Sequence, residues 1–253
     1  MKKLLICAAL TSAFLSFNTQ AQETKAAEAK PEHEVSFNLG AVSDYRYRGI
    51  SQTRLAPALQ GGADYVNNVH GFYAGAWLST IKWTKDAGGS GDVEMDLYLG
   101  KRGEVTKDIT YDIGALSYVY PSNGLGKVKG FADANTTEVY GQLGYGPGYI
   151  KYSHSITNLF GNIDSKNSTY VDIGANIEIA DGYMLNLHVG RQTIKNNGSF
   201  SYDDWKLGIS KEFSGITFGL AAIGTNANDK LYVTPSGKFT GKASLVLSAL
   251  KTF

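Results

Sequence analysis

Period-two alternation of apolar and polar residues governs this chain. Val35, Phe37, Leu39 and Ala41 alternate with Ser36, Asn38 and Gly40. Val93, Met95, Leu97 and Leu99 alternate with Glu94, Asp96, Tyr98 and Gly100; Val171 to Ile179 repeats the pattern against Asp172, Gly174, Asn176 and Glu178. Successive strand side chains point to opposite faces, so this period marks half-buried strands. No segment sustains a 3.6-residue period. No apolar run reaches the ~18 residues that a membrane-spanning helix needs.

The pattern predicts twelve strands, centred near residues 41, 61, 76, 97, 114, 141, 152, 174, 187, 208, 219 and 246. Their connections alternate in length. The short ones are Asn67–Gly71, Gly103–Asp108, Gly146–Gly148, Ala180–Gly182 and Ser214–Gly215. The long ones are Gly49–Ala56, Lys82–Gly91, Pro121–Thr136, Asn158–Ser168, Thr193–Ser201 and Thr225–Lys238. An even strand number with short turns at one end and long loops at the other is the layout of a transmembrane antiparallel β-barrel, its short turns periplasmic and its loops extracellular.

Alternation alone does not say which face is outside. Three features place the apolar face outward. Glycines 40, 62, 75, 100, 114, 144, 174, 190, 208 and 219 lie on the polar phase of the strands, and a concave, crowded lumen has use for missing side chains; Gly61, Gly141 and Gly241 break the rule. Aromatic residues on the apolar phase collect near strand ends. Phe37, Tyr65, Phe72, Tyr145, Tyr183, Phe213 and Phe253 fall near the short turns, and Tyr45, Tyr47 and Trp205 near the long loops, as two interfacial girdles require. The chain also ends on an alternating strand closed by Phe253. Lys211 and Lys251 sit on the apolar phase near the short-turn interface, where long cations snorkel. His154 is a mid-strand polar blemish on the apolar phase of the seventh strand.

The first 21 residues read as a cleaved signal peptide: basic Met1-Lys2-Lys3, an apolar stretch from Leu4 to Phe17, and Thr19-Gln20-Ala21 before the cut. The only cysteine, Cys7, leaves with it, so disulfides and cysteine metal sites are excluded from the mature chain. Residues 22–34 read as a flexible tail and 35–253 as the barrel. The formal charge of +1 and the lack of a Lys/Arg-rich run argue against a nucleic-acid partner.

The inward phase projects Asp44, Arg46, Arg48, Glu94, Asp96, Glu138, Asp172, Asp204 and Lys206 from the upper strands, with Asp64, Asp112, Lys151 and Glu178 lower down. These are the candidate pore-lining residues. Charge rings set ion preference, and the acids outnumber the bases, which points to weak cation preference with a basic spot at the mouth. The same charges could instead pair across the lumen and fill it, and inward Tyr73, Trp77, Tyr98, Tyr118 and Tyr140 could occlude it.

Catalysis is not expected. There is no G-x-S-x-G, and His33, His70, His154 and His188 show no metal or catalytic spacing. Ser153 and Ser155 flank His154 but point to the opposite face. Cofactor motifs are absent and no cofactor is expected.

The segment Tyr45-Arg46-Tyr47-Arg48-Gly49-Ile50-Ser51-Gln52-Thr53, followed by Pro57 to Tyr65, resembles the opening signature of the TorF-family porins of proteobacteria. Gly71 to Trp77, Glu94 to Tyr98, Thr137 to Tyr140, Tyr170 to Gly190, Tyr202 to Trp205 and Ser214 to Thr217 continue the likeness. The resemblance implies an outer-membrane β-barrel. With the pattern above it leads to one expectation, a porin-like channel for passive diffusion of small hydrophilic solutes or ions. The alternative is a non-conducting barrel acting as surface scaffold or adhesin through its loops. Expected partners are membrane lipids and lipopolysaccharide, the diffusing solutes, and the outer-membrane insertion machinery, engaged through Phe253. Oligomerisation is left open.

Overall fold

The computed structural model describes residues 31–253; the expected signal peptide and most of the expected tail lie outside the described residues. Fourteen strands follow one another along the chain: β1 (His33–Val42), β2 (Arg46–Tyr47), β3 (Ile50–Ser51), β4 (Ala58–Asn67), β5 (Phe72–Thr80), β6 (Val93–Thr106), β7 (Ile109–Val119), β8 (Thr136–Tyr145), β9 (Gly148–Ser155), β10 (Thr169–Ala180), β11 (Tyr183–Thr193), β12 (Tyr202–Phe213), β13 (Ile216–Thr225) and β14 (Ser244–Thr252). Twelve of them form one closed antiparallel barrel, each strand paired with its sequence neighbours in the wall and β1 closing onto β14. β2 and β3 pair only with each other. A four-residue helix, α1 (Trp83–Asp86), lies in the loop after β5.

Closure answers the demand of hydrocarbon that every backbone N–H and C=O find a partner. The seam is completed by the last residue: Phe253 N–H donates to Phe37 O at 2.8 Å, and Phe37 N–H donates to Phe253 O at 3.2 Å. The apolar phase is the exterior. Leu39, Leu99, Ile113, Leu143, Ile173, Leu207 and Leu247 are all exposed there. The short-turn girdle also stands where the alternation places it: Phe37, Tyr65, Phe72, Tyr145, Tyr183, Phe213 and Phe253 are exposed.

Turn chemistry sets the narrow end. Asp181-Gly182 and Ser214-Gly215 both occupy the left-handed region (φ 44° and 77°, 53° and 77°). These are two-residue type I′ turns, whose twist matches that of the strands. The expected Gly103–Asp108 turn shrinks to residues 107–108, because β6 runs on to Thr106 through a bulge between Glu104 and Thr106. The first strand starts at His33, two residues ahead of the expected barrel start, in register with Asn67 of β4.

The inward glycines make room for tyrosines. Gly75 faces Tyr98, Gly114 faces Tyr140 and Gly174 faces Tyr149 in direct cross-strand register. A Cβ at Gly75 would lie 2.5 Å from the Tyr98 ring, at Gly114 2.6 Å from the Tyr140 hydroxyl, and at Gly174 2.5 Å from the Tyr149 hydroxyl. Each phenol therefore lies along the wall over a glycine on the neighbouring strand.

The largest departure from the sequence reading is at the first strand. Alternation through Asp44, Tyr45, Arg46, Tyr47 and Arg48 reads as one strand reaching the rim. Instead β1 ends at Val42, and residues 44–53 fold inward, while residues 54–57 are exposed. Tyr45 and Tyr47, expected in the outer girdle, are 1% and 8% exposed inside the barrel. The reason is local. Arg48 (φ 45°) and Gly49 (φ 78°) form a two-residue left-handed turn between β2 and β3, so the apparent strand is one arm of a small hairpin. His154 is also placed differently. It is next to last in β9, at the long-loop rim, and its ring nitrogens lie 3.0 Å from the Tyr152 hydroxyl and 3.1 Å from Asn167 Oδ1.

Candidate functional site

The inserted hairpin and the lumen wall it touches form the candidate site. Gly49 is required at the hairpin tip twice over. Its φ of 78° disfavours any side chain, and a Cβ there would approach Asp204 Cβ to 2.9 Å. The tip thereby lies against β12.

Two arginines fasten the hairpin in different ways. Arg46 stitches it to the last long loop: its guanidinium donates to Asp44, to the carbonyls of Gly49 (2.9 Å), Thr240 (3.1 Å) and Lys242 (3.1 Å), and to Ser244 Oγ (2.7 Å). Arg48 reaches the wall. It donates both branches to Glu138 of β8 (3.1 and 2.7 Å) and one to Gln192 Oε1 of β11 (2.6 Å). Its guanidinium carbon lies 4.1 Å from the Tyr170 ring centroid and 4.9 Å from that of Tyr47. This fork-on-carboxylate geometry, held between aromatic faces, is the one arginine supplies and lysine does not.

Phenols extend both arms. Tyr47 donates to the Tyr118 hydroxyl at 2.6 Å, and Tyr118 donates to Glu138 at 3.3 Å. Tyr45 donates to Glu94 Oε1 at 2.8 Å. From above, Phe160 of the loop after β9 packs edge-on against Tyr47 and Tyr118, with ring centroids 5.4 and 5.1 Å away. Main-chain bonds run from Ser51 N to Thr240 O (3.0 Å) and from Lys82 N to Gln52 O (2.7 Å). The hairpin is thus tied to β6, β7, β8, β11, β14 and three other loops.

Below it the lumen is polar. His188 of β11 lies between two carboxylates, Nδ1 2.9 Å from Asp172 and Nε2 2.7 Å from Asp204. Tyr170 donates to the other Asp204 oxygen at 2.9 Å. Tyr73 donates to Asp112 at 2.5 Å and meets Tyr140, whose ring lies 4.0 Å from Lys151 Nζ. Tyr98 donates to Asp64.

All nine candidate residues face inward or lie in the hairpin, but in three settings. Asp44, Arg46 and Arg48 belong to the plug and not, as the alternation implies, to a wall strand. Glu138, Asp172 and Asp204 are engaged in the networks just described, and Lys206 stands opposite His188 in the β11–β12 register. Glu94 and Asp96 are set apart: Glu94 Oε2 and Asp96 Oδ1 are buried without a hydrogen-bond partner. Gln192 and His188 were not singled out by sequence. Both lie on the inward phase Asn186, His188, Gly190, Gln192, which was the available signal. Ser153 and Ser155 are buried inward, on the face opposite to His154.

Fold and site together define a transmembrane β-barrel with a polar lumen and a hairpin clamped inside its long-loop mouth. The family description "Bacterial protein of unknown function (Gcw_chp)" matches residues 26–253, and the chain belongs to that family. No curated protein matches the sequence. Among solved structures, a membrane protein from a study of in-meso crystallization is similar over 87% of this chain and 83% of its own, with 8% identity and a TM-score of 0.50. Pseudomonas aeruginosa OprD (8% identity, 87% of this chain, 66% of its own, TM-score 0.41) and Acinetobacter baumannii OccAB3 (13%, 88%, 65%, 0.43) are also similar. The chain spans about two thirds of the length of the latter two. At these identities the likeness is one of fold.

Proposed function

We propose that this protein is an outer-membrane channel for passive diffusion of small hydrophilic solutes or ions, narrowed by the 44–53 hairpin. The observation that carries the reading is the polar lumen crossed by a clamped hairpin. A barrel wall alone gives a lumen, and twelve strands lie between the filled ~8-strand and open ~16–18-strand sizes. The inserted hairpin then sets the width available. The TorF-type assignment, which rests on the sequence signature beginning at Tyr45, belongs to this proposal, as does contact of the insertion machinery with Phe253.

Weak cation preference is part of the reading. The inward-phase acids outnumber the inward bases, and the Arg46 and Arg48 guanidiniums are engaged by acceptors in the hairpin, the last loop and the wall. Acidic side chains facing lumen water favour cations.

A second reading, a non-conducting surface scaffold, draws support from the same clamp, because a hairpin that never leaves closes the mouth. Liposome swelling with sugars of graded size separates the two. Swelling that extends to larger sugars when residues 44–53 are replaced by a short Gly-Ser linker is expected of a channel. No swelling and no single-channel steps, in either form, would refute it. Reversal potentials of Glu94→Gln and Asp96→Asn shifted toward lower cation preference are expected; unchanged values would refute the charge assignment.

A further inference from the structure

A furrow crosses the outside of the barrel from β11 to β1, with a volume of about 530 Å³. It follows the hydrogen-bonding direction of the sheet. Its upper ridge is Ile209, Leu220 and Leu247, aligned in direct register across β12, β13 and β14. Its lower ridge begins with Lys211 and Phe218 and then drops, because the next positions in register are Ala249 and Ala41. Those two small residues open the trough. Four interstrand steps of ~4.8 Å give it a length of about 19 Å.

The two ends of the furrow differ chemically. The β1 end is apolar. The β11 end lies at the short-turn girdle, where Lys211 Nζ stands 4.1 Å from the ring centroid of Tyr183, the first residue of β11. Among the described residues no carboxylate lies within ion-pair distance of Lys211. A long apolar trough whose one lining cation has no carboxylate partner, with Lys251 two positions beyond Ala249 on the same outward phase of β14, is complementary to one amphiphile, an acyl chain carrying an anionic head.

We propose that this furrow is a binding site for one anionic phospholipid of the membrane leaflet at the short-turn end, its acyl chain in the trough and its phosphate on Lys211. The inference rests on the transmembrane setting of the barrel and not on conduction. Snorkelling alone would not require the trough. Lys101 illustrates the difference: it stands 5.0 Å from the Phe72 ring centroid at the same interface, on the far side of the barrel from this furrow.

The test is native mass spectrometry of the folded protein in detergent, exposed to phosphatidylglycerol or phosphatidylcholine with identical chains. The expected result is one phosphatidylglycerol retained several-fold over phosphatidylcholine. Lys211→Gln should abolish that preference. Ala249→Phe, which fills the trough, should lower retention of both lipids. Lys101→Gln should change neither. If Ala249→Phe fails to fold, Ala41→Leu blocks the other end of the same trough. Equal retention of the two lipids by the unaltered protein, equal effects of Lys211→Gln and Lys101→Gln, or undiminished retention with the trough filled would each overturn the proposal.

Discussion

Removing the Arg48 side chain should release the hairpin without unfolding the barrel. Arg48 and Glu138 are each about 2% exposed, and Arg48→Ala strands the Glu138 carboxylate with only the 3.3 Å bond from Tyr118. Breaking a buried pair by removing one partner costs ~3–5 kcal/mol. The wall is held by its own ladder, so the loss falls on the equilibrium between seated and released hairpin. At ~1.4 kcal/mol per decade, the released population rises by about 10²-fold to several thousand-fold. Trypsin cleavage after Arg46 reads this directly, because that bond lies within the seated hairpin, where Arg46 and Tyr47 are buried. Where closing outpaces cleavage, the cleavage rate tracks the released fraction. Glu138→Ala should raise cleavage by a similar factor, and the double variant should exceed neither single variant by much, since the two substitutions remove one interaction. Arg191→Ala breaks an exposed pair with Asp203 (2.9 Å) and should leave the rate unchanged. Unaltered cleavage in Arg48→Ala, or strictly additive effects in the double variant, would refute the clamp.

Other expectations follow from the wall. Gly114→Ala places a Cβ 2.6 Å from the Tyr140 hydroxyl and from the Leu99 carbonyl; it should destabilise the barrel by ~1–3 kcal/mol, whereas Gly141→Ala, whose nearest neighbour is 3.9 Å away, should be close to neutral. Urea titrations of the folded protein in lipid vesicles compare the two. Leu97→Arg puts a cation on the lipid face at mid-strand and should cost ~2–4 kcal/mol, readable in the same titration; a negligible change would mean that this face does not meet hydrocarbon. Deleting Phe253 removes both of its seam bonds to Phe37, and slower folding into vesicles is expected, followed by the gel shift of the unheated barrel.

Much of the architecture could be read from the alternation. Strands such as β7 and β11 keep their phase from end to end, so a period of two states both their existence and their orientation. The lower girdle was legible for the same reason: an aromatic residue on the outward phase beside a turn has one place to go. The inward glycines were legible as a phase preference but not as partners of tyrosines, because which phenol lies over which glycine depends on register between neighbouring strands.

At the hairpin the same rule misleads. Tyr45 and Tyr47 continue the rhythm of β1, and nothing in a period of two distinguishes a wall strand from a short arm turning into the lumen. Arg48-Gly49 carried the only local hint, a pair suited to a left-handed two-residue turn. Its outcome rests on Glu138, Gln192 and Asp204, which lie 90 or more positions further along the chain.

Sequence by itself therefore determined the twelve wall strands, the closed barrel and its inside-out polarity, because these depend on local periodicity and on the absence of water around the lipid-facing backbone. Only the tertiary structure decided that the first long loop enters the lumen and is clamped there, because a buried guanidinium is stable only where a carboxylate, an amide oxygen and aromatic faces from distant strands converge on it.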